Sequence, residues 1–143
     1  MADELGWHVS LLLDPDDLSQ VEDAIERAPC PVLIDHIARY RTGPANPGGF
    51  NVLLRLAERQ HVFGKLSAVE FLSSHAPAYA DLDPLVDRLA TVTDRLLWGT
   101  DWPHGSVTFT GAPMPDEGQL LDLLARWFPD PKERQRILVD DPA

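Results

Sequence analysis

Apolar and polar positions along the chain fall into two alternating kinds of stretch. Residues 6–13, with Val9 and Leu11-Leu12-Leu13, make a short apolar run, as do residues 31–37 around Val32-Leu33-Ile34 and the stretch Leu96-Leu97-Trp98. A further run, residues 61–69, is less apolar and carries Lys65 and Ser67. Runs of this length are strands, and continuous apolar character is typical of a parallel sheet. Between the runs, apolar residues recur at steps of three and four. Leu18, Val21, Ile25 and Ala28 form one such stripe, Phe50, Leu53, Leu54 and Ala57 a second, and Leu120, Leu121, Leu124 and Trp127 another. Each predicts a helix with one buried face. Asp14-Pro15 and Asp83-Pro84 both place a capping side chain before a first-turn proline, and the second of these helices runs to about Thr91. A short amphipathic helix over 131–139 closes the chain.

The segments joining these elements differ in kind. Residues 39–49 are rich in glycine and proline and read as a loop, and residues 70–82 read as a second, longer one. Nowhere does a tight hairpin signal join two strands. Four strands alternating with helices give a (βα)4 pattern with a parallel sheet. A complete (βα)8 barrel takes about 250 residues. With 143 residues, the chain predicts half of one, a single domain over 1–143.

Charge and cysteine content narrow the function classes. Twelve Lys+Arg against 23 Asp+Glu give a net charge of −11, which argues against nucleic acid or an anionic membrane as partner. The lone Cys30 excludes an internal disulfide and enters an apolar strand, so a buried thiol is expected. The acidic N-terminus lacks a signal-peptide pattern, and no apolar run reaches membrane-spanning length. The expectation is a cytoplasmic protein acting on a small molecule.

Candidate chemistry gathers after the second and fourth strands. Arg95-Leu96-Leu97-Trp98-Gly99-Thr100-Asp101 is a strand that ends in a carboxylate, followed by Trp102-Pro103-His104. Parallel α/β folds deliver catalytic groups at the carboxyl ends of their strands. Side chains alternate along a strand. The expected inward sets are His8, Ser10 and Leu12; Val32, Ile34 and His36; Lys65, Ser67 and Val69; and Leu97, Gly99 and Asp101. On that reading His36 and Asp101 point into one pocket, within about 10 Å of each other. His8 lies about four residues before its strand end and reads as a buried histidine satisfied by a neighbour.

Gly99-Thr100-Asp101-Trp102-Pro103-His104 resembles the strand-8 signature of the amidohydrolase superfamily, in its 2-pyrone-4,6-dicarboxylate lactonase-like branch. Gly6-Trp7-His8-Val9, Ile34-Asp35-His36 and the terminal Ile137-Leu138-Val139-Asp140-Asp141-Pro142-Ala143 resemble the same branch in the same order. The resemblance implies that the strands are five to eight of a barrel. It implies a hydrolase of a small ester, lactone or amide, with Asp101 as general base and His36 as electrophilic partner. His104, Arg39 and Arg41 are candidate anion binders for its substrate. Metal-binding members of the superfamily use a His-x-His on strand 1, histidines after strands 5 and 6, and the strand-8 Asp. Only His36 and Asp101 of that set are present, so neither metal nor other cofactor is expected. Glu70-Phe71 stands where lactonase-type members carry Tyr-Arg, and Leu12 stands near a Tyr position. The reaction class therefore carries over better than a dicarboxylate substrate.

A second reading belongs to another class: a non-catalytic half-barrel that self-associates or pairs with a separate amino-terminal half. The strands at residues 7–13 and 96–101 would be open edges, above an inner face built from Leu12, Val32, Ile34, Val69 and Leu97. A homodimer, or a complementary N-terminal half-barrel, would close them. Weak or absent hydrolysis is expected of the isolated half. A flavodoxin-like binding domain is disfavoured, because the first βα turn is Asp14-Pro15-Asp16-Asp17, which repels phosphate.

Overall fold

Strands β1 (Val9–Leu11), β2 (Val32–Ile34), β3 (Val62–Leu66) and β4 (Leu96–Trp98) pair side by side in chain order, all parallel. The structure is a computed structural model that describes residues 2–41 and 47–142. Val9 lies opposite Val32, Val32 opposite Val62, and Gly64 opposite Leu96. The long helices are α1 (Pro15–Glu26), α2 (Pro47–Ala57), α4 (Asp83–Val92) and α6 (Glu117–Trp127). Shorter ones are α3 (Val69–Leu72), α5 (Val107–Thr110) and α7 (Pro131–Gln135). This is the α/β, (βα)4 arrangement that the alternating pattern predicts.

Each helix forms for a local reason and is held by a tertiary one. Asp116 caps α6 by accepting from the Gln119 N–H at 3.0 Å, and Asp130 caps α7 by accepting from the Lys132 N–H at 2.9 Å. Asp14 precedes α1 in extended conformation but makes no side-chain cap bond; its carboxylate instead lies 3.4 Å from Arg39. Gly49 lies where a Cβ would sit 2.5 Å from the Pro15 side chain, so only glycine lets the starts of α1 and α2 approach this closely. The apolar stripes then close the core. Leu18 and Ile25 of α1, Phe50, Leu53 and Leu56 of α2, and Leu85 and Leu89 of α4 are all buried. In α6 the buried positions are Leu120, Leu123 and Leu124, whereas Leu121 is half exposed. That corrects the expected stripe: steps of three and four from Leu120 lead to 123 and 124, and 121 lies a third of a turn away.

Several boundaries differ from the sequence reading. The hydrogen-bonded strands are three to five residues long, because the flanking residues bend away into turns. Val69, expected in the third strand, opens α3 instead. Helix α2 starts at Pro47, inside the expected 39–49 loop, and residues 42–46 of that loop lie outside the described residues. Cys30 is buried, as expected. Among the described residues no helix is long and apolar enough to cross a membrane.

The more important correction concerns which way β2 faces. Val32 and Ile34 were expected to point inward, yet both are buried under the helices, as are Val62, Leu66 and Leu96 of the neighbouring strands. The open face carries Ser10, Leu33, Phe63, Lys65 and Leu97, all of them exposed or only partly buried. Continuous apolar runs hide this difference, because Val32-Leu33-Ile34 reads identically from either side. His8, expected to be buried, is exposed on the open side, where it lines a cavity of about 220 Å³ with Leu33, Phe63 and Leu97. A cross-strand polar layer sits higher on that face. Lys65 Nζ lies 3.1 Å from Asp35 Oδ1, and Ser10 donates its hydroxyl to Asp35 Oδ2.

Two outcomes follow. Ile34→Ala should lower unfolding stability by about 2–5 kcal/mol, whereas Leu33→Ala should cost less, about 1–2 kcal/mol, since Leu33 is only partly buried. Urea titration of the two variants would return the reverse order if β2 faced the other way. At the chain's end, burial pushes the Asp141 carboxyl above its usual range, against the pull of Arg136 at 3.7 Å. An acid raised in the folded state contributes stability below its unfolded pKa, near 4, and that contribution is lost as pH rises through the folded value. Asp141→Asn is therefore expected to raise the urea midpoint at pH 7 and leave it nearly unchanged at pH 3.

Candidate active site

At the carboxyl end of β2 the chain stops being a strand. Residues His36, Ile37, Ala38 and Arg39 all have positive φ, between 50° and 54°. By simple alternation His36 would share the helix-covered face with Ile34. The left-handed turn swings it to the open side instead, where its Nδ1 meets Ser67 Oγ at 2.7 Å. The expectation that His36 faces the pocket was right, and its reasoning by strand parity was not. Ser67, at the end of β3, is buried.

Asp101 reaches the same place from β4. It has φ 72°, a conformation costing a non-glycine residue about 1 kcal/mol. A tight turn holds it there: the His104 N–H donates to the Asp101 carbonyl at 2.8 Å, and the Trp102 N–H donates to Thr100 Oγ1 at 3.2 Å. The Trp102–Pro103 bond within this turn is cis. His36 Nε2 and Asp101 Oδ1 face each other at 3.7 Å, both side chains partly buried. If the Ser67 hydroxyl donates to Nδ1, the imidazole carries its proton on Nε2, toward the carboxylate; that tautomer satisfies both contacts.

The pair opens onto a cavity of about 420 Å³ that is also lined by Leu12, Arg39, Phe71, Ser106 and Phe109. Its walls are largely apolar and its polar groups few and convergent, as small-molecule sites require. A larger cleft of about 600 Å³, bounded by Arg59, Thr93, Arg95 and Arg136, opens at the amino ends of the strands and contains neither His36 nor Asp101. Barrel chemistry is not placed at that end.

The three candidate anion binders part company. Arg39 lines the cavity, its guanidinium 4.8 Å above the Phe71 ring and 3.4 Å from Asp14. Arg41 stacks on the same ring at 4.3 Å and donates Nε–H to the Phe71 carbonyl at 3.1 Å. Phe71 thus gathers two cations beside the site. His104 is elsewhere. It is buried away from the cavity, with Nε2 donating to Glu117 Oε1 at 2.8 Å and Nδ1 3.5 Å from Glu70 Oε1. Both ring nitrogens face carboxylates, and His104 is not among the residues that line the cavity. Glu70 is itself buried, and after burial it is the second cause that pushes the Tyr79 phenol above its usual range.

Ser67 and Glu70 carry geometry that the sequence reading did not assign to the site. The alternation places Ser67 on the inward face of the third strand at its carboxyl end, and that placement is the signal the sequence offers; its meeting with His36, 31 positions away, is not local. Nothing local marks Glu70, because its partners lie 34 and more positions away in sequence. Among the described residues no three His, Cys, Asp or Glu side chains converge on a point that could hold a metal ion. His36 and Asp101 are two donors where a zinc site needs three or four.

The chain is similar to known proteins in sequence and in fold. 4-Sulfomuconolactone hydrolase of Rhizobium radiobacter is 41% identical over 142 residues, which is 98% of this chain and 47% of that protein. 2-Pyrone-4,6-dicarboxylate hydrolase of Comamonas testosteroni is 35% identical over 97% of this chain and 48% of its own length. An apo crystal structure of an Agrobacterium tumefaciens protein superimposes with a TM-score of 0.81 at 28% identity, covering 99% of this chain and 50% of that one. The chain spans about half the length of the curated relatives it matches, and its four strands correspond to half of a (βα)8 barrel. The amidohydrolase family matches over residues 1–143, and the chain belongs to that family.

Proposed function

We propose that this chain is the carboxyl-terminal half of a hydrolase that opens a small lactone, ester or amide, with Asp101 as general base and His36 as its electrophilic partner. The observation that carries the reading is the approach of His36 Nε2 to Asp101 Oδ1 at 3.7 Å, at the carboxyl ends of two parallel strands and over one cavity. The names of the relatives support the lactone class.

In the reaction, Asp101 accepts a proton from a water molecule as the water oxygen bonds to the substrate carbonyl carbon. The carbonyl π electrons move onto oxygen, and an N–H of His36 stabilises that oxyanion. Collapse breaks the acyl–oxygen bond, and the leaving alkoxide regains the proton from Asp101. Water is consumed, and the lactone becomes a hydroxy acid. Arg39 and Arg41, drawn to the rim by Phe71, would attract a substrate that carries a negative charge. Ser67 holds the His36 ring in register.

A specific observation favours keeping the second reading, a half-barrel that works only with a partner. Among the described residues β1 and β4 each pair with one strand, and Trp7 and Leu12 lie exposed beside the open face of the sheet. A second copy, or a separate amino-terminal half, would cover that face and add four strands.

Both readings are open to measurement. Lactone hydrolysis by the isolated chain is expected to be weak. Whatever turnover is seen should fall about 10²–10⁴-fold in Asp101→Asn; turnover that survives the substitution would remove Asp101 from the role of base. Sedimentation at micromolar concentration should show self-association, and a monodisperse monomer would mean that the open face needs no partner.

A further inference from the structure

Beneath the cavity lies a group of buried polar side chains that the hydrolytic steps do not use. Glu70 in α3 is 4% exposed and His104 only 2%. Glu70 Oε1 accepts from Ser106 Oγ at 2.8 Å and lies 3.5 Å from His104 Nδ1. His104 Nε2 donates to Glu117 Oε1, at the start of α6, at 2.8 Å. Glu70 Oε2 and His104 Nδ1 are both buried with no hydrogen-bond partner among the described residues, so the hydrogen-bonded link from Glu70 to the turn is the one through Ser106. Charged groups are not buried in this way without cost, and removing one partner leaves the others uncompensated. An apolar filling would serve packing alone better.

The placement of the group points to its use. His104 and Ser106 belong to the turn that follows β4, and the His104 N–H is the group that closes this turn onto the Asp101 carbonyl at 2.8 Å. Asp101 itself sits at φ 72°, left-handed backbone that an aspartate adopts more readily than most residues but still at some cost, so the contacts that close this turn help to hold it. Glu70 stands three residues after Ser67, the residue whose hydroxyl meets His36 at 2.7 Å. One short segment, Ser67 to Glu70, therefore grips both halves of the pair. Ser67 holds the imidazole, and Glu70 holds the turn that presents the carboxylate.

We propose that Glu70 and His104 are positioning residues: they clamp the 101–106 turn onto α3, and so set the distance between Asp101 and His36. The consequence for turnover rests on the hydrolase reading, but the clamp itself does not.

Amide hydrogen exchange and NMR on the full 143-residue chain test it. In Glu70→Leu the His104 amide should lose protection roughly tenfold or more, while the amides of β2 and β3 keep theirs, as for a local opening. The Asp101 carboxyl carbon and the His36 ring resonances should move with it. Glu70→Gln, which retains an acceptor for Ser106, should restore most of the protection. Ile34→Ala serves as the comparison, since it should lower protection across the sheet without singling out this turn. A His104 amide that exchanges as in the unaltered chain, or that loses protection only in step with the strands, would overturn the proposal. Should Glu70→Leu fail to fold, Ser106→Ala cuts the same link from the surface side, and the same two outcomes decide. Hydrolysis is assayed separately. A chain with no Asp101-dependent turnover but a selectively loosened turn keeps the clamp and loses the hydrolase reading; the opposite pair of results does the reverse.

Discussion

Ile34, Leu66 and Leu96 have no exposed surface, and each points to the same side of the sheet, against α1, α2 and α4. Fully burying such side chains contributes about 1.5–3 kcal/mol each, and a parallel sheet places them in rows that a helix stripe can cover. Once that side is covered, the pleat sends Ser10, Leu33, Phe63, Lys65 and Leu97 to the other. Because the strands follow one another in chain order, right-handed crossovers keep their helices on one face, and the other face stays open. The open face descends from this one-sided burial, and among the described residues the four-stranded order leaves β1 and β4 each paired on one side.

The site is built where the strands give out. His36 and Asp101 each occupy left-handed backbone just past a strand end, and neither would reach the other from a continued strand. Ser67 and the buried Glu70–His104 pair, with the partly exposed Glu117 beyond it, adjoin them with side chains that have little freedom. Low exposure and fixed partners give a carboxylate and an imidazole a defined separation, as the proposed general-base role would require of its scaffold. Phe71 contributes differently: by stacking two guanidinium groups it keeps positive charge at the rim without committing it to a buried ion pair.

Half a barrel carrying half of a family's length places a clear demand on its surroundings. The cavity near His36 is bounded on the described side by β-strand ends and by Phe109, which is almost fully exposed. In a closed barrel four further strands would face this sheet. The polar layer of Ser10, Asp35 and Lys65 shows that the open face is not merely a greasy surface awaiting cover. It has an internal order that a complementary half would have to match.

The sequence by itself determined the element order, the parallel (βα)4 class and the two residues that meet at the strand ends. Those depend on local signals: apolar runs, steps of three and four, Asp-Pro starts, and a carboxylate or histidine just after a strand. The Gly99–His104 motif identified the family because its residues are contiguous. What the tertiary structure alone decided was orientation and partnership. Val32-Leu33-Ile34 carries no mark of which face meets the helices, since all three residues are equally apolar; the burial of the neighbouring strands chose. His36 turns toward the cavity through four positive-φ residues that no local pattern announced. His104 looks, in sequence, like one more polar residue of an active-site motif, and it became a buried anchor because Glu70 and Glu117 arrive from 34 positions before it and 13 after. Contacts over such distances belong to the packing of whole elements, and that packing is written in no single stretch of the chain.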